Sequence, residues 1–213
     1  ETGIVMTAYK LPSEEFEFSI VPQLSENGSR AREIGEQEGA VLVSNAGFFA
    51  QNLEGNLYPI GYLRLDGDLH SKGWHDEGGV LSWGKDGSLQ LTPTHIGIPR
   101  SDRDALQSRP MFIEPGGRWA MGSNLGEAKN RTVLCKLPDG DVILAVVTRV
   151  GLSLFEAGWI MRDRKDGGFF GCSAALALDG GRSTQVWYSG SDTYSFSGAV
   201  PVHNFLVISA RDN

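Results

Sequence analysis

Apolar positions in this chain fall in short runs, some alternating with polar residues and some continuous, and the two kinds predict different elements. Ile4 to Val21 alternates in part, with Phe16, Phe18 and Ile20 on one face. A break near Pro12-Ser13 predicts that this stretch is a two-stranded hairpin. Ser29 to Glu38 mixes charges with alanine and reads as a short surface helix, with Ser29 as N-cap and Gly39 as stop. Ala40 to Ser44 reads as a buried strand running into Asn45-Ala46-Gly47-Phe48-Phe49. Between Gly61 and Leu91 the runs are punctuated by Asp66-Gly67 and Asp86-Gly87, dipeptides suited to two-residue hairpin turns, and predict a meander. Pro115-Gly116-Gly117 predicts a further hairpin between the Leu106 to Ile113 run and Arg118 to Met121. Asp139-Gly140 predicts another within Arg131 to Thr148.

Ala174 to Leu178 is continuous and apolar, as expected of a strand buried on both faces, and it stops at a carboxylate, Asp179. Before it, Ser153 to Asp163 is the strongest helical stretch. Ser153 and Glu156 have capping-box spacing, Leu154, Phe155, Gly158, Trp159 and Met161 supply an apolar face, and Gly167-Gly168 marks the end. Strand, capped helix and strand make a crossover, so Ile143 to Thr148 and Ala174 to Leu178 should run parallel with a right-handed connection. Val186 to Tyr188 and Pro201 to Ser209 read as the last strands. The fold class predicted is α+β, one domain over residues 1–213. It would be a mixed β-sheet with a right-handed strand-helix-strand crossover, several hairpins and few helices.

Composition narrows the function. With 213 residues, 40% of them hydrophobic, the chain can bury a substantial core. A formal charge of -7 argues against nucleic acid or an anionic membrane as partner, because both call for a clustered positive field. No apolar run is long enough to span a bilayer, and no secretory leader is recognised. The 28 glycines fit a β-rich domain with many tight turns. Cys135 and Cys172 form no CxxC pair, which argues against structural zinc. They are two buried thiols or one disulfide, and their small apolar neighbours favour thiols.

Asp179 is followed by Gly180 and Gly181, whose missing Cβ atoms let another group approach the backbone, and then by the donors Arg182, Ser183 and Thr184. In a crossover unit ligands collect beyond the carboxyl ends of the strands, where Asp179 lies. The plainer alternative is an ordinary Asp-Gly turn. Other motifs carry less. His70 and His75 lie near Asp66, Asp68 and Asp76 without HExxH or EF-hand order, and read as solvated hairpin residues. Gly171 to Ala175 resembles GxSxG only loosely and precedes a strand instead of following one, which argues against a serine hydrolase. The Asp179 to Thr184 segment lacks the lysine of a phosphate-cradling loop. Asn27-Gly28-Ser29 and Asn130-Arg131-Thr132 are glycosylation sequons, a pattern common by chance. Arg131 is either a solvated edge arginine or a fork for phosphate or carboxylate.

Taken together, these islands resemble the phosphodiester glycosidase family, from Asn45 to Ile208 and in the family's order. Asn45 to Phe49 resembles its Asn-Gly-Gly-Phe/Tyr-Phe segment with Ala46 for a glycine, and Gly61 falls at a following glycine. Arg131-Thr132 resembles its Arg-Thr pair, and Gly151 to Trp159 its Gly-x-x-Leu-x-Glu-x-Ala helix. Leu176 to Thr184 resembles its Asn-Leu-Asp-Gly-Gly-Gly-Ser motif, and Val200 to Ile208 its closing Val-x-Asn strand. The departures are Arg182 for a third glycine, Ala177 for asparagine, Thr148-Arg149 for Asp-Gly, and Ser108-Arg109-Pro110 for a glycine-containing turn. The added arginines suggest extra negative charge on the substrate.

The resemblance implies hydrolysis of a sugar 1-phosphodiester at its anomeric carbon, releasing the sugar and a phosphomonoester, with a small-molecule or glycan phosphodiester as partner. Asp179 would be the catalytic carboxylate, as base or nucleophile, and Arg131 would bind phosphate with Arg182 assisting. Asn45, Thr132, Ser183 and the amides of Gly180 and Gly181 would orient sugar hydroxyls or phosphate oxygens, and Asn204 is a further candidate. No second carboxylate stands out: Glu54 and Glu127 fall in loops and Glu156 is explained as a cap. No metal and no cofactor is called for. Family analogy places the protein outside the cytoplasm, whether secreted, periplasmic or lumenal. The alternatives are a non-catalytic carbohydrate- or anion-binding module on the same fold, or hydrolysis of another phosphodiester.

Overall fold

The computed structural model describes residues 3–74, 77–84, 86–99, 103–124 and 126–211. In chain order its first elements are β1 (Ile4–Leu11), β2 (Phe16–Pro22), α1 (Ala31–Glu38) and β3 (Leu42–Asn45). Then come β4 (Phe49–Gln51), β5 (Leu57–Pro59), β6 (Tyr62–Leu65), β7 (Asp68–Lys72), β8 (Gly79–Trp83), β9 (Leu89–Pro93) and β10 (Ala105–Ser108). The remainder comprises β11 (Met111–Glu114), β12 (Arg118–Trp119), β13 (Lys129–Lys136), β14 (Val142–Leu152), α2 (Leu154–Met161), β15 (Ala174–Ala177), β16 (Val186–Tyr188) and β17 (Asn204–Ala210).

A six-stranded sheet ordered β1-β14-β13-β15-β11-β12 forms the centre, beside a five-stranded sheet β7-β6-β10-β8-β9 and a four-stranded sheet β16-β3-β17-β2. The α+β expectation of many strands, several hairpins and few helices holds. Residues of β13 and β15 explain why their sequences do not alternate. Leu134 and Leu176 face one core with Leu81, Leu106, Leu206 and Ile208. Val133, Cys135, Ala175 and Ala177 face a second core under α2, with Ala157 and Met161. Both sides of these strands are therefore dry, which favours apolar residues at every position. The small residues on the α2 side let the helix approach closely. At Gly158 an added Cβ would lie 2.7 Å from the Phe112 ring.

Ser153 caps α2 as the spacing predicts. Its hydroxyl accepts from the Glu156 amide at 3.1 Å, and the Glu156 carboxylate accepts from the Ser153 amide at 2.8 Å. The helix ends at Met161, earlier than Gly167-Gly168, because Arg162 already adopts extended backbone. The strands flanking this crossover do run in the same direction. They are separated by β13, however, so the described ladders are antiparallel throughout and parallel strands do not pair directly.

Several local expectations are corrected. β1 and β2 are both strands but do not form a hairpin: β1 pairs with β14 in the central sheet, and β2 with β17 in the four-stranded one. Each gains an apolar neighbour by parting at the Pro12 turn. Ser29 is not the N-cap of α1. It is buried, bridges Val202, and its hydroxyl accepts from the Leu24 amide, while Arg30 takes the cap position with its amide bonded to Glu33. The Gly61 to Leu91 stretch makes the two Asp-Gly hairpins, but β10 inserts between β6 and β8, so it is not a simple meander. Asp66 at φ 49° and Gly67 at φ 85° supply the left-handed pair that the first of these turns requires.

Cys135 and Cys172 are joined by a disulfide, which overturns the preference for buried thiols. Small apolar surroundings suit either state. Proximity decides it: β13 and β15 pair with Cys135 opposite Ala175, and the chain before β15 brings Cys172 to a Cα separation of 5.6 Å.

Candidate active site

The carboxyl end of β15 meets the carboxyl end of β3 at a buried joint, and hydrogen bonds across it fix where Asp179 sits. Leu178 donates its amide to Thr132 O at 2.9 Å, and Asp179 donates its own to Ala46 O at 2.8 Å. Asn45, fully buried, donates from Nδ2 to Asp179 O at 2.6 Å. Its Oδ1 accepts from the Thr132 hydroxyl at 2.7 Å and from the Gln185 amide at 3.0 Å. Asn204, on β17, accepts the Gly47 amide on Oδ1 at 2.6 Å. Asn45, Thr132 and Asn204 are all buried, and their polar atoms bond to protein. They hold the joint together, and the structure places them behind the cleft that opens above it and not in its lining, although the sequence offered them as contacts to sugar or phosphate. Gly180 is required by close approach: an added Cβ would lie 2.9 Å from Asn130 O.

Above the joint opens a cleft of about 1240 Å³, lined by Asp179, Gly180, Gly181, Arg182 and Ser183, and by Arg131 from β13. These are the other residues singled out in the sequence, and the fold gathers all of them on one cavity. Asp179 is half-buried. Its Oδ1 accepts the Gly180 amide at 2.7 Å. Burial pushes its carboxyl above the ordinary 3.8, against the lowering influence of the Ser183 hydroxyl and the Gly180 amide. Arg131 donates from Nε to Leu152 O at 2.8 Å and from Nη2 to Glu127 O at 2.7 Å. Two bonds out of five donors leave N–H groups for a ligand. Desolvation lowers its pKa, which lies far above neutrality all the same. Arg131 and Asp179 share the cleft without forming an ion pair.

Other parts of the lining have no clear sequence signal. Glu77, from a loop, is a second carboxylate on the cleft, ion-paired with Arg109, whose guanidinium lies 4.6 Å from the Trp74 ring centre. Phe48, Met121, Val150, Leu154 and Phe196 supply apolar wall. Glu127 instead pairs with Lys129 at 2.8 Å, and Glu156 remains a cap. His70 is exposed on β7, while His75 and Asp76 lie outside the described residues. Among the described residues no group of three His, Cys, Asp or Glu is placed to hold a metal ion.

Residues 38–209 match a family model described as phosphodiester glycosidase. No curated protein matches the chain by sequence. Among solved structures, a hypothetical protein from Synechocystis matches with a TM-score of 0.70 at 15% identity, over 97% of this chain and 59% of its own. The chain therefore spans little more than half of that protein. The catalytic domain of zebrafish N-acetylglucosamine-1-phosphodiester α-N-acetylglucosaminidase, auto-inhibited by its pro-peptide, matches with a TM-score of 0.69 at 13% identity, covering 98% of this chain and 84% of that one. A Burkholderia pseudomallei protein thought to be exported matches with a TM-score of 0.63 at 12% identity, over 91% of this chain and 71% of its own. At these identities the likeness shows a shared fold.

Proposed function

The chain belongs to the phosphodiester glycosidase family, and from that premise we propose that it hydrolyses a sugar 1-phosphodiester at the anomeric carbon. The observation that carries this reading is the pairing, on one cleft, of a desolvated carboxylate with an oriented guanidinium. Asp179, made more basic by burial, takes a proton from water as that oxygen bonds to the anomeric carbon, or attacks that carbon itself to give a glycosyl ester that water then cleaves at the same carbon, releasing the sugar and the carboxylate. The bond from the carbon to the phosphate oxygen breaks, and the electron pair leaves with the phosphate. Arg131 receives the growing charge with its free N–H groups, together with the amides of the Gly180-Gly181 turn. A phosphate departs without the strong general acid an alkoxide requires, so one carboxylate near the anomeric centre is enough.

N-Acetylglucosamine 1-phosphodiesters are the first substrates to try, since the zebrafish relative's name carries that linkage. The disulfide supports folding in an oxidising, extracytoplasmic compartment. No helix among the described residues is long and apolar enough to cross a membrane. The deciding experiment is hydrolysis in labelled water, with Asp179→Asn alongside. Label in the sugar, and hydrolysis lost in the variant while substrate still binds, is expected. Label in the phosphate would overturn the glycosidase reading, and ligand binding with no turnover in the unaltered protein would make this a binding module.

A further inference from the structure

The chain carries a formal charge of -7, yet its cleft is cationic. Among the described residues, Arg109, Lys129, Arg131, Arg149 and Arg182 line it against the two carboxylates Glu77 and Asp179. Arg109 is paired with Glu77, and Lys129 with Glu127. Arg131, Arg149 and Arg182 have no ion-pair partner among the described residues, and they face one carboxylate, Asp179. A simple phosphodiester adds one negative charge, which leaves one positive charge in excess among these groups, and a concave surface lined by one sign of charge draws a further anion.

Arg149 is placed there by an irregularity in β14. Arg131 pairs with Val147 and Lys129 with Leu152, so along β13 the four residues Thr148 to Gly151 stand against the single residue Asn130, while Thr148 and Arg149 keep their register with Val5 and Ile4 of β1. Bulges of this kind re-aim side chains beside binding sites. Arg149 lies within the irregularity with φ 69°, a left-handed conformation that disfavours a residue with a Cβ, and its exposed side chain lines the cleft together with Val150. Arg182 comes from the other edge, in the turn just after Asp179, and is exposed. The volume of about 1240 Å³ exceeds the ~300–1,000 Å³ usual for a site holding one small ligand.

Resting on the function proposed above, we propose that Arg149 and Arg182 form a second anion subsite, and that the substrate is a sugar 1-phosphodiester bearing a further phosphate. Two sources present that chemistry. In a sugar diphosphate the second phosphate adjoins the first, and in a repeating sugar-phosphate polymer it lies one unit away.

The test uses three substrates with one sugar: an alkyl 1-phosphodiester, a 1-diphosphate ester, and a 1-phosphodiester whose aglycone ends in a phosphate. The ratio of kcat/KM between each doubly charged substrate and the alkyl one is measured for the unaltered protein and for Arg149→Gln/Arg182→Gln. We expect a preference of about tenfold or more at low salt for one of the two, which identifies the source. In the variant it should fall below about twofold, whatever happens to the absolute rates. No preference in the unaltered protein, or one that survives in the variant, overturns the subsite. If none of the three is hydrolysed, the activity reading fails by itself, and the subsite is judged by calorimetry with inorganic pyrophosphate and orthophosphate. Tighter pyrophosphate binding that the variant loses supports it, and equal affinities overturn it.

Discussion

The buried side chain of Asn45 holds the main-chain carbonyl of Asp179 at 2.6 Å, across a joint between two different sheets. One asparagine at the end of β3 thereby sets the position of a carboxylate that follows it by more than half the chain.

Asn45→Ala should therefore act on both stability and function. It removes one bond to Asp179 and leaves the Thr132 hydroxyl and the Gln185 amide without their acceptor. With net values near 1 kcal/mol per bond, and more where a donor is stranded, a loss of about 2–4 kcal/mol is expected from urea unfolding. Below 0.5 kcal/mol, the joint would not be the support described here. In a folded variant kcat should fall further than KM rises, because the carboxylate is misplaced while Arg131 stays.

How much of this was legible in the sequence follows from which contacts are local. The capping box of α2, the Asp-Gly turns and the unalternating β15 are set by neighbours a few residues apart, and they read correctly. The partners of β1 and β2 are set by strands far along the chain, so a proline turn that looked like a hairpin became a divergence between sheets. The site divides in the same way. Asp179 and its glycines announce themselves by following a buried strand. Asn45 and Asn204 are polar residues beside apolar strands, and sequence could not show that their side chains turn inward to bond backbone. Glu77 sits in a loop without periodicity and reaches the cleft only through the tertiary fold.

The pKa of Asp179 yields a prediction with a definite sign. Its folded value is raised above 3.8, so the native state holds this proton more tightly than the unfolded chain does. The resulting penalty on stability is fully present above the raised folded value, and it fades as pH falls through that value toward 3.8. Asp179→Asn should leave stability at pH 7 unchanged or higher while hydrolysis is lost. The acid limb of the kcat/KM profile of the unaltered protein, which reports the free enzyme, should lie above 3.8. A variant clearly less stable than its parent at pH 7 would mean that the carboxylate is held by attractions stronger than its desolvation.

His203 behaves in the opposite way. Burial, with a smaller contribution from the charge of His70, lowers its pKa to about 4, from an ordinary 6.5. Gly47 bonds to Asn204 Oδ1, so the Asn204 amide nitrogen at 3.1 Å must donate to His203 Nδ1, and the imidazole is neutral there. Its stabilising contribution is complete above pH 6.5 and is lost as pH falls from about 6.5 to about 4, by up to about 3 kcal/mol. Chemical unfolding of His203→Gln across this range should show a flatter acid slope than the unaltered protein. Parallel slopes would assign the acid sensitivity elsewhere.

Reduction of the Cys135–Cys172 bond releases a constraint spanning 37 residues. Chain-entropy arguments give a loss of about 3–4 kcal/mol. The bond lies in the core under α2, on the face away from the other sheets. Thermal unfolding with and without reductant should show a clear fall in Tm, matched by Cys135→Ser/Cys172→Ser. An unchanged Tm after thiol titration confirms reduction would show that the α2 core holds without the bond.

Arg131→Lys separates charge from geometry at the phosphate. Lysine keeps the positive charge but cannot reproduce the fork whose Nε and Nη2 bond Leu152 O and Glu127 O while other N–H groups remain free. Two main-chain carbonyls would lose a partner at a half-buried site, so stability should drop by about 1–2 kcal/mol. The larger effect should be on kcat. Oriented donors facing a developing anion are commonly worth ~10²–10³ in rate, and a flexible ammonium supplies the charge without the alignment. KM should move less than kcat, because attraction for the ground-state phosphodiester survives with the charge. A folded Arg131→Lys protein with near-normal kcat would show that the guanidinium serves the bulge of β14 alone, and that the departing phosphate is stabilised by other groups.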